Sequence, residues 1–413
     1  MTGLHRFFSS DRRVWLPALA GALTVASGAV LAESSDFDAA IGRALFRRAW
    51  TPAPSSTRAN DGLGPLFNAR ACTSCHQGLD RAPLRVGRGG VLENEDLVLR
   101  ISDEQGRGDP IYGIQLQTSA VEGQAAEGTV RIGRRGLEAS ALGYGPLASA
   151  MRTGGRIAPH LWGLGKLGAV PQEVILRLAD PEDRNDDGIR GRANMVSAPG
   201  QLPKLGRFGW KAQAESIEAQ TANAFFADMG LASGMHPEPW GDCTAKQPAC
   251  RAAPHGGTVV APEIDALILD RIASYLASIP APVPLGRVLD AESEAQGAKL
   301  FASVGCASCH VPELPSPEGP VRAFTDLLLH DLGPELDGGA TEPGVKSTEW
   351  RTAPLWGLSR TLANKARLLH DARAPTVEHA VRLHGGEAAG ARSRFLRLSK
   401  SDRKRLLDYV SSL

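Results

Sequence analysis

The chain carries the run Cys72-Thr73-Ser74-Cys75-His76 and repeats its pattern as Cys306-Ala307-Ser308-Cys309-His310. A C-x-x-C-H run is the attachment signature of a c-type haem. On a helical turn, residues three and four apart share a face, so two sulfurs and an imidazole reach one porphyrin edge and its iron. The thiols anchor the ring and the histidine binds the metal. One such run is compatible with a zinc or redox C-x-x-C pair beside an unrelated histidine. Two of them point to a pair of covalently bound haem c groups, on Cys72, Cys75 and His76 and on Cys306, Cys309 and His310.

Residues 1–32 read as an export signal: Arg6, Arg12 and Arg13 lead an apolar run that ends in Val30-Leu31-Ala32. Export to the periplasm or beyond suits haem c, which is attached outside the cytoplasm. The Arg12-Arg13 pair matches a twin-arginine signal, but haem attachment to a still accessible chain favours ordinary secretion. An uncut segment would instead tie the protein to a membrane surface. Cleavage would move the formal net charge from +1 to near −1. No basic stripe of the kind nucleic acid requires is present. Of the six cysteines, Cys243 and Cys250 remain after the haem runs. In an exported chain they form a structural disulfide, since their spacing is not that of a C-x-x-C thiol oxidoreductase.

Helical patterns precede each haem run, over Ile41–Phe46 and Ala295–Phe301. Pro280-Ala281-Pro282-Val283-Pro284 makes a stiff linker. These features predict a mainly α fold of two cytochrome c-like haem domains, 33–279 and 287–413, joined by the Pro-rich segment 280–286. Short alternating runs at Leu97–Ile101, Ile111–Leu116 and Thr129–Ile132 predict a small β insertion over about 83–136 in the first domain. A second echo, Arg156–Leu164 against Arg351–Leu358 with one residue inserted, argues for duplication of a haem domain. The loop 183–194 opens with oxygens at Asp183, Asn185 and Asp187 and a glycine at Gly188, which resembles a Ca2+ loop. Asn194 stands where the closing glutamate belongs, and a solvated acidic turn is the alternative.

Gly64–His76, Phe208–Ala212, Thr325–Asp331, Glu349–Trp356 and Leu369–Arg373 together resemble the dihaem oxidoreductase family, also called thiol oxidoreductases. That family is related to the bacterial dihaem cytochrome c peroxidases. The resemblance implies an all-α pair of cytochrome c domains whose haems communicate across their interface. It places Trp210 where the peroxidases have a tryptophan between the haems, as an electron relay. Gln220 falls where a glutamine lines the distal pocket, and Asp228 near the catalytic glutamate that precedes a methionine. Here the acid is an aspartate closer to the glutamine, with Glu218 as a substitute. His384 matches the methionine that ligates the C-terminal haem, implying a bis-histidine site from His310 and His384 with a lowered potential. His330, His370 and His379 compete for that place. For the His76 haem an open or water-bound iron is expected, with His160 and Met229 as the groups that would close it.

The function expected is that of an exported dihaem c-type oxidoreductase reducing hydrogen peroxide at the His76 haem. Asp228 would move a proton between the two oxygens while the Gln220 amide steadies them. Electrons would come from a small protein of the cytochrome c or cupredoxin type, through the C-terminal haem and Trp210. The alternatives are a dihaem electron-transfer protein with no substrate site, or oxidation of a protein or organic substrate through high-valent haem iron.

Overall fold

The computed structural model describes residues 37–413 apart from 94, 134–135, 198–201 and 287; the expected export signal, 1–32, lies outside them. Among the described residues no helix is long and apolar enough to cross a membrane. The first haem run is walled by three helices. Helix 37–47 sets Leu45 and Phe46 against Phe225 and Met229 of the helix Ile217–Met229, and against Ile272 and Leu276 of the helix Ala266–Ser278. Ser216 caps the second of these by accepting from the Ala219 amide, and Gly230, at φ 64°, ends it. Asp265 caps the third in the same way. A capping side chain of this kind satisfies one of the amides that a helix start leaves free.

The second haem run follows the helix Ala291–Val304, capped by Asp290 and stopped by Gly305 at φ 94°. A left-handed glycine ends the helix in one residue, so Cys306 begins the haem turn at once. This helix packs on the C-terminal helix Lys400–Ser412 so closely that a Cβ on Gly297 would land on the Tyr409 ring.

The sheet in the N-terminal half is antiparallel and three-stranded. Leu97–Ser102 is central, pairing with Gln115–Leu116 on one edge and Arg152–Ile157 on the other. Leu97, Leu99 and Ile101 alternate into a core shared with Tyr112, Leu116 and Ile157. The region therefore runs past 136 to Ile157, because only that later strand completes the sheet. Further two-stranded ladders pair Asn194–Val196 with Lys204–Gly206 and Leu329–Asp331 with Glu349–Arg351. The expectation of a mainly α chain is thus corrected to a mixed one, 33% helix and 17% strand in small sheets. Helices form only where an apolar stripe recurs every three or four residues. Between them, segments broken by glycine and proline settle into short ladders.

The repeated sequence echo has a repeated shape. Arg156 and Arg351 each sit at the end of a strand, and each is followed by a left-handed glycine, Gly163 at φ 72° and Gly357 at φ 73°, that starts a short helix. The two halves share a core: Leu167, Val174 and Phe208 pack with Leu314, Leu328 and Trp356. Segment 280–286 lies along the C-terminal half, with the Leu285 amide bonded to Ser359 Oγ at 3.0 Å. Strand Arg152–Ile157 presses its backbone onto the loop of the other half. A Cβ on Gly154 would land on the Gly338 carbonyl oxygen, and one on Gly339 on that of Thr153. Gly154→Ala must push the halves apart and is expected to cost about 1–3 kcal/mol, read as a lowered midpoint in thermal unfolding; an unchanged midpoint would show that this contact yields freely.

Candidate functional site

Both haem runs form one tight turn. Cys72–Cys75 is a single helical turn from which the His76 amide returns to the Cys72 carbonyl at 2.9 Å, and the His310 amide returns to the Cys306 carbonyl at the same distance. Cys72, Cys75 and His76 open onto the same cavity of about 930 Å³ as Cys306, Cys309 and His310, so a single space joins the two halves. Burial pushes the Cys72 thiol up to about 12 and Cys306 up to about 11. Neither is a thiolate nucleophile near neutral pH.

The histidines are set up for ligation. His76 Nδ1 donates to the Pro159 carbonyl and His310 Nδ1 to that of Phe324, both at 3.1 Å. His384 Nδ1 donates to Ala380 O at 2.7 Å. A carbonyl can only accept, so the proton is on Nδ1. Burial lowers His76 and His310 to about 4, and lowers His384 as well, which keeps the rings neutral. Each ring is left with an Nε2 lone pair on the cavity side, the form in which imidazole binds a metal. His384 lies near enough to His310 to contribute to that lowering.

The rest of the cavity wall suits two haems. It is largely apolar, yet it holds the buried basic side chains Arg81, Arg156, Arg351 and Lys211, with Glu342 3.7 Å from Arg156. Arg156 Nε, Trp356 Nε1 and His370 Nε2 are buried without a hydrogen-bond partner, His370 Nε2 lying 3.7 Å from Asp371 Oδ2. Unpaired donors and cations around an apolar slot call for a flat apolar occupant with anionic edges. A porphyrin with its carboxylates has that chemistry, and the donor set of two sulfurs and one imidazole at each end fits haem c.

Asp228, at the end of the helix Ile217–Met229, lines the cavity rather than facing bulk water. Burial raises its pKa, partly offset by Arg100 and by a hydrogen bond from Gln115. Gln220 also lines the cavity, its amide oxygen against the Cα side of Gly209. Glu218 does not reach the wall. Trp210 Nε1 donates to Ile157 O at 2.7 Å, with the Arg81 guanidinium 5.0 Å from the ring centroid and His370 edge-on at 6.5 Å. His370 in turn stacks on Trp350 at 3.6 Å.

His160 lines the same cavity as His76, and its Nδ1 is buried without a hydrogen-bond partner. Met229 is packed in the core with Phe46 and Leu63. His236, also in the wall, is tied through Nε2 to Asn223 Oδ1 at 2.8 Å and stacked on Phe226. His379 is exposed. His330 is held between Asp326 and Glu387. In the loop 183–194, Asp183 Oδ1 accepts from the Gly188 amide and Asp187 Oδ1 from that of Ile189. Asn185 Nδ2 donates to Asp187, and the Asn194 amide turns inward to the carbonyls of Lys211 and Ala212. Cys243 and Cys250 are joined as a disulfide.

Gln115 is a residue that sequence reasoning missed. It is fully buried, and its Nε2 donates to both Ala227 O and Asp228 Oδ1 at 2.8 Å. Gln117 Nε2 reaches Ala227 O as well, and its Oε1 accepts from Asn68 beside the haem run. Behind them Glu127 accepts from the Gln117 amide and from Gln247. The only sequence signal was polar residues at inward positions of the predicted β run.

Residues 138–413 match the family described as "Di-haem oxidoreductase, putative peroxidase". The chain belongs to the di-haem oxidoreductase family. No curated protein matches it by sequence. Solved structures similar to it include two. One is Kuenenia stuttgartiensis hydrazine synthase, at 13% identity and a TM-score of 0.33 over 100% of both chains. The other is a MauG-like protein associated with microbial copper homeostasis, at 15% identity and 0.30, over 59% of this chain and 87% of that one.

Burial outweighs the two hydrogen bonds that Glu127 accepts and pushes it up to about 8. A carboxyl raised in the fold contributes stability that is full below its unfolded value and is lost as pH climbs through the folded one. The stability of the Glu127→Gln variant relative to the natural protein should therefore rise between about pH 4.5 and 8. Thermal midpoints of both proteins across that range test this, and a constant difference would contradict it.

Proposed function

We propose that this di-haem oxidoreductase is an exported peroxidase that reduces hydrogen peroxide on the His76 side of the cavity, with electrons entering on the His310 side. The observation that carries the reading is the asymmetry of the two ends. On the His310 side a second histidine, His384, offers a free Nε2. On the His76 side Asp228 and Gln220 line the space together with His160, while His236 is bonded elsewhere. Haem iron bound at His76 would supply the site where peroxide binds and accepts electrons.

Peroxide with two electrons and two protons becomes two waters, so one proton must leave the oxygen nearest the metal and another must reach the departing oxygen. Asp228 is suited to both moves, since it lines the space and burial raises its pKa, which favours holding and returning a proton. Gln115 fixes which oxygen of Asp228 faces the protein and leaves the other for the substrate. Gln220, with no side-chain partner among the described residues, can donate to a bound oxygen. Trp210 sits on the seam between the halves, its backbone carbonyl accepting from the Arg351 amide at 3.0 Å. Arg81 over its ring disfavours a lasting positive charge there, which suits a relay rather than a store. The electron donor would be a small redox protein outside the cytoplasm.

Asp228→Asn should lower the turnover number for peroxide by about 10²- to 10⁴-fold while covalent haem content stays unchanged; full activity would remove the aspartate from the mechanism. Low-temperature electron paramagnetic resonance of the oxidised protein should show one high-spin and one low-spin haem, with peroxide consuming the high-spin signal in the mixed-valence form. Two low-spin signals indifferent to peroxide would leave an electron carrier and overturn the peroxidase reading.

A further inference from the structure

Outside the proposed reaction path lies a charged group for which apolar packing gives no reason. His330 is 3% exposed, and both of its ring nitrogens meet carboxylates: Nε2 lies 2.8 Å from Asp326 Oδ2 and Nδ1 lies 2.6 Å from Glu387 Oε2. An ionised carboxylate only accepts, so both nitrogens donate and the ring is an imidazolium. The same Nδ1 is 3.7 Å from Cys309 Sγ, the second attachment sulfur of the C-terminal haem run. A Cβ on Gly191 would press into the ring, so the other face has no slack.

Glu387 ties three segments together. Oε2 also accepts from the Arg190 amide at 2.8 Å, and Oε1 accepts from the Asp331 amide at 2.9 Å. Glu387 lies one turn beyond His384, and the Gly385 amide between them is bonded to Leu332 O at 3.1 Å. The segment that bears His384 is thus fastened at one point to the strand Leu329–Asp331, and through His330 to the haem attachment site.

We propose that the Asp326–His330–Glu387 ion triad is a latch that positions His384 for ligation, holding its turn at a set distance from Cys309. This rests on His384 being the sixth ligand of the His310 haem. His330 and Glu387 are positioning residues, acting through His384 without touching the iron. The arrangement fits that task better than plain packing does. A buried imidazolium between two carboxylates is costly to dismantle, because loss of one partner strands a charge. The turn therefore has one favoured place, and two glycines, Gly385 and Gly386, give it no stiffness of its own.

The test uses the haem-loaded full chain and reads ligation directly. Glu387→Gln keeps the side chain's shape but turns an amide onto donors. It should replace the low-spin signal of the C-terminal haem, in whole or in part, with a high-spin one and shift that haem's midpoint potential, with covalent haem content unchanged. Glu378→Gln, a half-buried change on the helix Val377–Leu383 that removes only the ion pair with Arg382 and its neighbour Arg403, should leave both readings as they were. His384→Ala separates the two ideas. If it leaves the low-spin signal intact, His384 is not the ligand and the latch has nothing to hold. If it abolishes the signal while Glu387→Gln leaves signal and potential unaltered, the ligand stands and the latch is overturned. Should Glu387→Gln fail to fold, Glu387→Asp, which keeps the charge but shortens its reach by one methylene, must weaken the low-spin signal; an unweakened one overturns the latch equally.

Discussion

A hydrogen bond from Nδ1 to a backbone carbonyl sets the orientation of each histidine that closes a haem run. For His76 that carbonyl belongs to Pro159, two residues beyond the strand Arg152–Ile157. The strand is held on one side by Leu97–Ser102 and on the other by the backbone of Gly338 and Gly339. The sheet is therefore no ornament on a haem domain. It carries the group that fixes the tautomer of His76, and through its contact with the C-terminal half it couples that choice to the seam between the two haem runs. For His310 the carbonyl is local, from Phe324 fourteen residues on. The two ends reach the same chemical state by a long route and a short one.

The seam itself is rich in buried basic side chains. Lys211 Nζ lies among the carbonyls of Lys346, Ser347 and Glu349 and 3.7 Å from the centroid of the Trp350 ring. Arg81 is bonded to the carbonyls of Arg367 and Leu369, and Arg156 to those of Gly338 and Ala340. Carbonyl dipoles solvate these groups, Glu342 lies 3.7 Å from Arg156, and further anionic groups sharing the space would balance them. Carboxylates on two porphyrin edges would complete that balance. Stability and haem loading are then two views of one requirement, since the cavity that would accept the haems joins the cores of the two halves.

Much of this was legible in the chain as written. The residues of the two C-x-x-C-H runs, Cys72, Cys75, His76, Cys306, Cys309 and His310, are local in sequence, and one tight turn brings each set together. The echo at Arg156 and Arg351 marked two strand ends of like shape. The helices before each haem run followed from their apolar spacing. The strand content did not, because two- and three-residue ladders such as Leu329–Asp331 with Glu349–Arg351 have no period long enough to register. The extension of the sheet to Ile157 was hidden for a related reason: Arg152–Ile157 reads as glycine and charge, and only its partner Leu97–Ser102 makes it a strand.

What the sequence by itself determined was the chemistry that depends on near neighbours: where two C-x-x-C-H runs with the donor set for haem c lie, and which cysteines remain to pair. What only the tertiary structure decided was the chemistry that depends on distant ones. Gln115 meets Asp228 across 113 residues, His330 meets Glu387 across 57, and Trp210 meets His370 at the seam. Spacing along a chain constrains geometry over a turn or two of helix. Beyond that, contact is set by how apolar faces pack, and no local pattern records which buried polar groups the packing will bring within reach of each other.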